Sequence, residues 1–219
     1  LPLIALQYHE VKINLSFIDD LTNSPPVANK LYADYIYLDT DERRRFAQVS
    51  HEYLIEQVQM REYTGVLTTM DLDFNHPVKE LIWCAKRTVG TGKAPDLPGF
   101  TDIIDAFKEE TYQIKLNGHD RFSERPLEYF TRYQLWRHHS GSQLGFSDLG
   151  RTYGENVAVY SFALKPEEHQ PSGTCNFSRI DNAQLLIHGN TVSSEINVYA
   201  INYNVLRIMS GMGGLAYSN

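Results

Sequence analysis

The chain has 219 residues, 42% of them hydrophobic and 21% charged, a balance that excludes a disordered segment and allows one domain with a sizeable core. Its net charge of −7 argues against nucleic acid as a main partner, because such binding needs Lys and Arg to displace phosphate counterions. No apolar run reaches the roughly 18 residues that a membrane-spanning helix requires.

The chain opens on Leu1-Pro2-Leu3-Ile4-Ala5-Leu6 without an initiator Met or a visible signal peptide, and reads as the inside of a longer protein. From Glu10 to Phe17 the alternation is clean: Val11, Ile13, Leu15 and Phe17 lie on one side, and Glu10, Lys12, Asn14 and Ser16 on the other. This period of two predicts a strand with one wet face. After the turn cluster Asn23-Ser24-Pro25-Pro26, the Tyr- and Ile-rich run Leu31 to Leu38 predicts a second strand. Asp39 is suited to a helix N-cap, with Glu42 placed to complete a capping box, so a short helix is expected over about Asp41 to Val49. Its Arg43-Arg44-Arg45 run reads as a solvated face, since Asp39, Asp41 and Glu42 offset much of its field.

A strand is expected from Tyr53 to Met60, and Gly65 punctuates. Val66, Thr68, Met70, Leu72 and Phe74 then form one face of a further strand, broken by Asn75-His76-Pro77. Val78 to Ala85 is apolar enough to be covered on both faces. Thr88 to Gly99, with three Gly and two Pro, predicts a long loop. Thr111 to Leu116 is a strand, and Asn117-Gly118 suits a type I′ hairpin turn, whose two central residues need positive φ. Pro126 fits the first turn of a helix to about His138, with Tyr129, Tyr133 and Trp136 on one face. Val157 to Leu164 predicts a strand, Gln170-Pro171-Ser172-Gly173 a type I turn, and Ala183 to His188 and Glu195 to Ile208 the closing strands. The tail Ser210-Gly211-Met212-Gly213-Gly214 is expected to be flexible and to order only against a neighbour.

At least eight strands with two short helical insertions, and no strand–helix–strand alternation, predict an all-β fold: an antiparallel jelly-roll β-sandwich.

Reactive constellations are sparse. Ser140-Gly141-Ser142-Gln143-Leu144-Gly145 lacks the spacing of a nucleophile elbow. Gly90-Thr91-Gly92-Lys93 lacks the full phosphate-loop spacing and its strand–loop–helix context. Asp71 and Asp73 share a strand face and could touch one divalent cation, but exposed strand carboxylates are far commoner than ligands. His138-His139 belongs to no zinc motif, and a helix C-terminus accounts for cationic His. His119-Asp120 is open to pairing with Arg121 or with a partner chain, a structural role in either case. Cys84 and Cys175 form no close motif and are expected to be reduced thiols in an intracellularly assembled protein. Asn14-Leu15-Ser16 and Asn176-Phe177-Ser178 are glycosylation sequons, so Asn14 and Asn176 are the candidate modification sites. No catalytic residue, metal site or cofactor is expected.

Four stretches carry a resemblance. They are Phe74-Asn75-His76-Pro77-Val78-Lys79-Glu80-Leu81, then Leu116-Asn117-Gly118 with Asp120-Arg121-Phe122 and Tyr129-Phe130, the block Phe162 to Asp181, and Asn202 to Ile208 followed by Ser210 to Tyr217. With them the whole chain resembles the C-terminal jelly roll of the major capsid protein of large icosahedral double-stranded DNA viruses. The resemblance implies a single jelly-roll domain over residues 1–219, the second of two, with the N-terminal roll absent. It also implies homotrimers whose six rolls form a pseudo-hexagonal capsomer. Its partners would be neighbouring capsomers and minor capsid proteins around an inner membrane, with no direct nucleic acid. The implied location is the virion shell, assembled in the host cytoplasm, and the implied role is structural, with no catalysis. The readings set beside it are a jelly-roll carbohydrate-binding module, which would use Asp71 and Asp73 near a cation, and a β-sandwich hydrolase.

Overall fold

The computed structural model describes residues 1–15, 30–85, 110–140, 145–146, 152–153, 157–189 and 193–218. Two compact units emerge, one formed by residues 1–54 with 205–218 and the other by residues 55–204. The strands are β1 (His51–Val66), β2 (Thr69–Asp71), β3 (Pro77–Ala85), β4 (Thr111–Leu116), β5 (His119–Asp120), β6 (Arg125–Pro126), β7 (Gly145–Phe146), β8 (Thr152–Tyr153), β9 (Ala158–Ser161), β10 (Cys175–Asn176), β11 (Ala183–His188), β12 (Ser193–Met209) and β13 (Met212–Leu215). Helix α1 spans Thr40–Gln48, and a second helical segment covers residues 127–138.

One sheet has the order β1-β12-β3-β10, with β9 also on β3 and β13 on β12; the other has β2-β11-β4-β5, with β6 on β4. Early strands are therefore flanked by late ones: β3 pairs antiparallel with β12, and β2 and β4 with β11. This wiring of two sheets is the jelly roll that the turn pattern predicts. Buried residues of both sheets fill the core between them. Leu81, Trp83, Val198 and Ala200 come from the first, and Met70, Tyr112, Ile114, Leu185 and Ile187 from the second. Phe130 enters from the 127–138 helix and meets Trp83, Phe122 and Tyr112 with ring centroids 5.1, 5.7 and 5.9 Å away.

Local chemistry explains several boundaries. Asp39 caps α1, and the reciprocal bond from its backbone N–H to Glu42 completes the capping box. Asn117 and Gly118 both have positive φ (52° and 77°) and join β4 to β5, the expected type I′ turn. The Asn117 side chain also accepts from the backbone N–H groups of Asp181 and Asn182 (2.9 and 3.2 Å), tying the hairpin to the entry of β11. β3 is buried along almost its whole length, as its unbroken apolar run implies.

Other expectations give way. Residues 10–15 of the first predicted strand and all of Leu31 to Leu38 carry no regular structure. Alternation alone does not make a strand; a backbone partner is needed, and these residues have none within the described fold, leaving Ile36 and Tyr37 88% and 92% exposed. The Val66–Phe74 strand contracts to β2: Met70, Leu72 and Phe74 are buried as predicted, but Gly65 at φ 111° and the turn after it bury Leu67 and expose Val66. Pro126 pairs with Thr111 in β6, so the helix starts one residue later, and it holds a widened turn over Tyr129–Tyr133, where Gln134 donates back to the Tyr129 carbonyl. The strand expected over Val157 to Leu164 ends at Ser161. The hydrogen-bonded turn near it is Lys165–Glu168, with Pro166 second, rather than Gln170–Gly173; Pro suits that place equally in either tetrapeptide. The tail is ordered by its own chain: Ser210 and Gly211 both take positive φ, and β13 folds back on β12 with Met212 opposite Met209. The predicted loop Thr88 to Gly99 lies outside the described residues.

Candidate functional site

The chain's most distinctive geometry surrounds a bulge in β3. Ile201 faces Glu80 and Asn202 faces Val78, so Lys79 is the extra residue. The bulge lets Val78 and Leu81 both join the core and leaves two adjacent charged residues, Lys79 and Glu80, buried between them. Burying a charge is costly unless it is paired, and both are paired. Lys79 Nζ lies 2.8 Å from Glu56 Oε1, donates to the Pro166 carbonyl at 2.6 Å and sits 5.6 Å from the centre of the Tyr203 ring. The Lys79 carbonyl accepts from the backbone N–H groups of Phe162 and Ala163 (2.9 and 3.2 Å). Glu80 Oε2 meets His139 Nε2 at 3.1 Å.

Both charges thereby hold the segment that follows β9. The other ring nitrogen of His139, Nδ1, lies 3.3 Å from Glu167 Oε1, and Glu167 Oε2 accepts from the backbone N–H of Ser140 at 2.9 Å and from its hydroxyl. The Glu80 hydrogen bond is the largest influence raising the His139 pKa. Its Ser140 partners hold the exposed Glu167 carboxyl below the usual range. Ser172 Oγ accepts from Lys165 N at 2.9 Å, closing the segment from the far side. Gly173 has no substitute there: at φ 144° an added Cβ would come within 2.9 Å of the Phe162 carbonyl.

The sequon Asn176-Phe177-Ser178 is part of the same frame. The Asn176 side chain accepts from Ser178 N (3.1 Å) and caps the turn Phe177–Arg179, while Ser178 Oγ accepts from the backbone N–H of His76, which stands at φ 68°. Asn14 lies exposed in the unpaired residues 10–15. Asp71 accepts from Gln184 Nε2 (2.8 Å), and the Tyr63 hydroxyl donates to its carbonyl. Burial first, and Asp73 next, push that Tyr63 hydroxyl up to about 12. Asp120 is met by Lys115 (3.6 Å) rather than by Arg121, whose charge acts on the Tyr160 hydroxyl and the Cys175 thiol. His138 points Nδ1 at the Leu164 carbonyl (3.1 Å), apart from the cluster that His139 joins. Arg44 reaches Asp41 only at 3.8 Å, and the Arg43–Arg45 run is solvated. Burial pushes the Cys84 thiol up to about 11 and also raises Cys175. Among the described residues no three His, Cys, Asp or Glu come together as metal ligands. On the helix, Tyr129, Tyr133 and Trp136 share a face as predicted, with Tyr133 and Trp136 48% and 70% exposed.

The buried pairs escape a sequence reading. Lys79-Glu80 interrupts an apolar strand, which is the one local signal, but Glu56, His139 and Glu167 lie far along the chain. The arrangement fixes a surface turn onto a rigid sheet.

Residues 42–214 match the family described as the large eukaryotic DNA virus major capsid protein. The chain is 50% identical to the major capsid protein of Pyramimonas orientalis virus, covering 100% of this chain and 57% of that protein. It is 38% identical to the major capsid protein of Paramecium bursaria Chlorella virus 1, covering 100% of this chain and 63% of that one. A quasi-atomic model of the PBCV-1 virus capsid superposes with a TM-score of 0.61 at 38% identity, over 84% of this chain and 56% of the other. The chain thus spans about three fifths of the length of these relatives. With its two antiparallel sheets wired as a jelly roll, it belongs to the major capsid protein family of large eukaryotic DNA viruses.

Proposed function

We propose that this chain is part of a structural subunit of an icosahedral virion shell and performs no catalysis. The observation that carries the reading is its 50% identity, along its whole length, to a viral major capsid protein. The physical design is consistent with a tile. A shell subunit works by presenting stiff, repeated contact surfaces, and symmetric copies of such surfaces close into finite bodies. Here two packed sheets supply the stiffness, and the buried Lys79 and the His139–Glu167 pair fasten a surface turn to one of them.

In the full-length protein this jelly roll is the second of two, and three copies build a pseudo-hexagonal capsomer that meets its neighbours and minor capsid proteins above an inner membrane. Assembly takes place in the host cytoplasm. The exposed run Leu31, Tyr32, Tyr35, Ile36 and Tyr37 and the Tyr133–Trp136 face are surfaces that such packing would cover. Of the two sequons, that of Asn14 is the more open to a glycan, since Asn14 is exposed whereas Asn176 Oδ1 and the Ser178 hydroxyl are both engaged in the fold. The carbohydrate-binding alternative finds no support: Asp71 is occupied by Gln184, and the relatives are capsid proteins.

The test is light scattering during size-exclusion chromatography of the full-length protein, with negative-stain imaging of the peak. A trimer with a hexagonal outline is expected. A monomer at every concentration would overturn the proposal.

A further inference from the structure

His139 sits where a neutral ring cannot serve both of its neighbours. Nε2 faces Glu80 Oε2 at 3.1 Å, and Nδ1 faces Glu167 Oε1 at 3.3 Å. Carboxylate oxygens only accept, so both ring nitrogens must carry a proton for both contacts to be made. A neutral imidazole has one N–H and would turn a lone pair toward one of the two carboxylates. Glu80 is the more demanding of them: its side chain is buried, and neither Oε2 nor His139 Nε2 makes a well-directed hydrogen bond among the described residues, so their 3.1 Å approach is an ion-pair contact that needs the charge on the ring.

We infer that His139 is a pH-sensitive latch: as an imidazolium it ties the end of the 127–138 helix to Glu80 of β3 and to Glu167 of the Lys165–Glu168 turn, and on losing its proton it lets that turn go. The other charged groups nearby are committed elsewhere. Lys165 pairs with Glu168 (2.8 Å), Lys79 with Glu56, and His138 turns to the Leu164 carbonyl. From the helix, Gln134 accepts from Ser161 N and donates to the Tyr129 hydroxyl, a neutral link that survives a pH change. The latch therefore governs the turn and Ser140 and leaves β9 in place.

The direction follows from linkage. The His139 pKa is raised in the folded protein, first by the Glu80 hydrogen bond and against the opposing effect of burial. The stabilisation is complete below the unfolded value of about 6.5 and is lost as pH rises through the folded one. No catalytic or assembly role is assumed, so the inference stands apart from the capsid proposal.

The test is imidazole NMR of the full chain, with the His139 signals assigned through His139→Gln. Both ring nitrogens should be protonated at about pH 6, with a midpoint above about 6.5. Protection of the Ser140 amide against hydrogen exchange, corrected for intrinsic rates, should be lost as pH rises through that midpoint. Glu167→Gln, on an exposed side chain that the fold does not need, should lower the midpoint and remove the pH dependence of Ser140 protection. A midpoint at or below about 6.5, or a Glu167→Gln protein with the midpoint and protection of the wild type, overturns the inference.

Discussion

Phe130 is the residue whose truncation should damage the sandwich most clearly. It is fully buried, and four aromatic rings surround it: Tyr129 at 5.0 Å, Trp83 at 5.1 Å, Phe122 at 5.7 Å and Tyr112 at 5.9 Å. Truncating a buried Phe to Ala costs about 3–5 kcal/mol, from lost transfer energy plus the cavity left behind. Aromatic pairs add about 0.5–1.5 kcal/mol beyond area burial, and here several are lost together. Trp83 and Tyr112 lie on strands of opposite sheets, so neither can follow the missing ring without breaking register. Phe130→Ala should therefore cost about 5 kcal/mol, against about 1–2 for Phe130→Leu and about 0.5 or less for Tyr133→Ala on the exposed face. Trp83 is the natural reporter. The chain has two tryptophans, and Trp136→Phe removes the exposed one, leaving fluorescence that follows urea unfolding at the core. A Phe130→Ala loss below about 1.5 kcal/mol, or one equal to that of Tyr133→Ala, would refute the claim that this ring joins the helix to the sandwich.

Glu56→Gln should destabilise by about 3 kcal/mol, since it leaves the buried Lys79 ammonium without its carboxylate; Lys79→Met in the same chain should recover part of this, and a double-mutant cycle in urea measures the coupling. Asn117→Val should cost about 2–3 kcal/mol by thermal melting, because a β-branched residue resists positive φ and the Asp181 and Asn182 amides lose their acceptor. Burial pushes the Glu110 carboxyl up to about 7, so the folded chain keeps this proton to higher pH than the unfolded one. Its contribution therefore weakens as pH rises from about 4.3 toward 7, and the Tm difference between Glu110→Gln and wild type should grow in the variant's favour over that window.

What the sequence reveals is local. The Asp39–Glu42 capping box, the Asn117-Gly118 turn and the doubly covered β3 each depend on residues close together in the chain, and each forms where expected. The strand predicted over Glu10–Phe17, of which residues 10–15 are described, and the one over Leu31–Leu38 show the opposite case. Their alternation is genuine, but the partner that a strand requires is not written in the strand itself. The tail shows the converse: Gly-rich composition suggests freedom, yet Ser210 and Gly211 supply the two positive-φ residues of a hairpin turn. The Lys79–Glu56 and Glu80–His139–Glu167 pairs were invisible because a one-residue bulge opposite Ile201 and Asn202 creates their site, and no periodicity announces a bulge.

The strand order also sets a timetable. β12 fills the place between β1 and β3, and β11 the place between β2 and β4, so each sheet has a vacant centre until these late strands are made. From residue 116, where β4 ends, to residue 188, where β11 ends, a ribosome must add 72 more residues (188 − 116). At about 5–20 residues per second, that is on the order of 4–14 s during which β4 lacks the strand that pairs with it along its whole length. A newly emerging copy of this chain is thus sticky before it is folded, and when copies are made in bulk, holding nascent chains apart becomes as pressing as folding them.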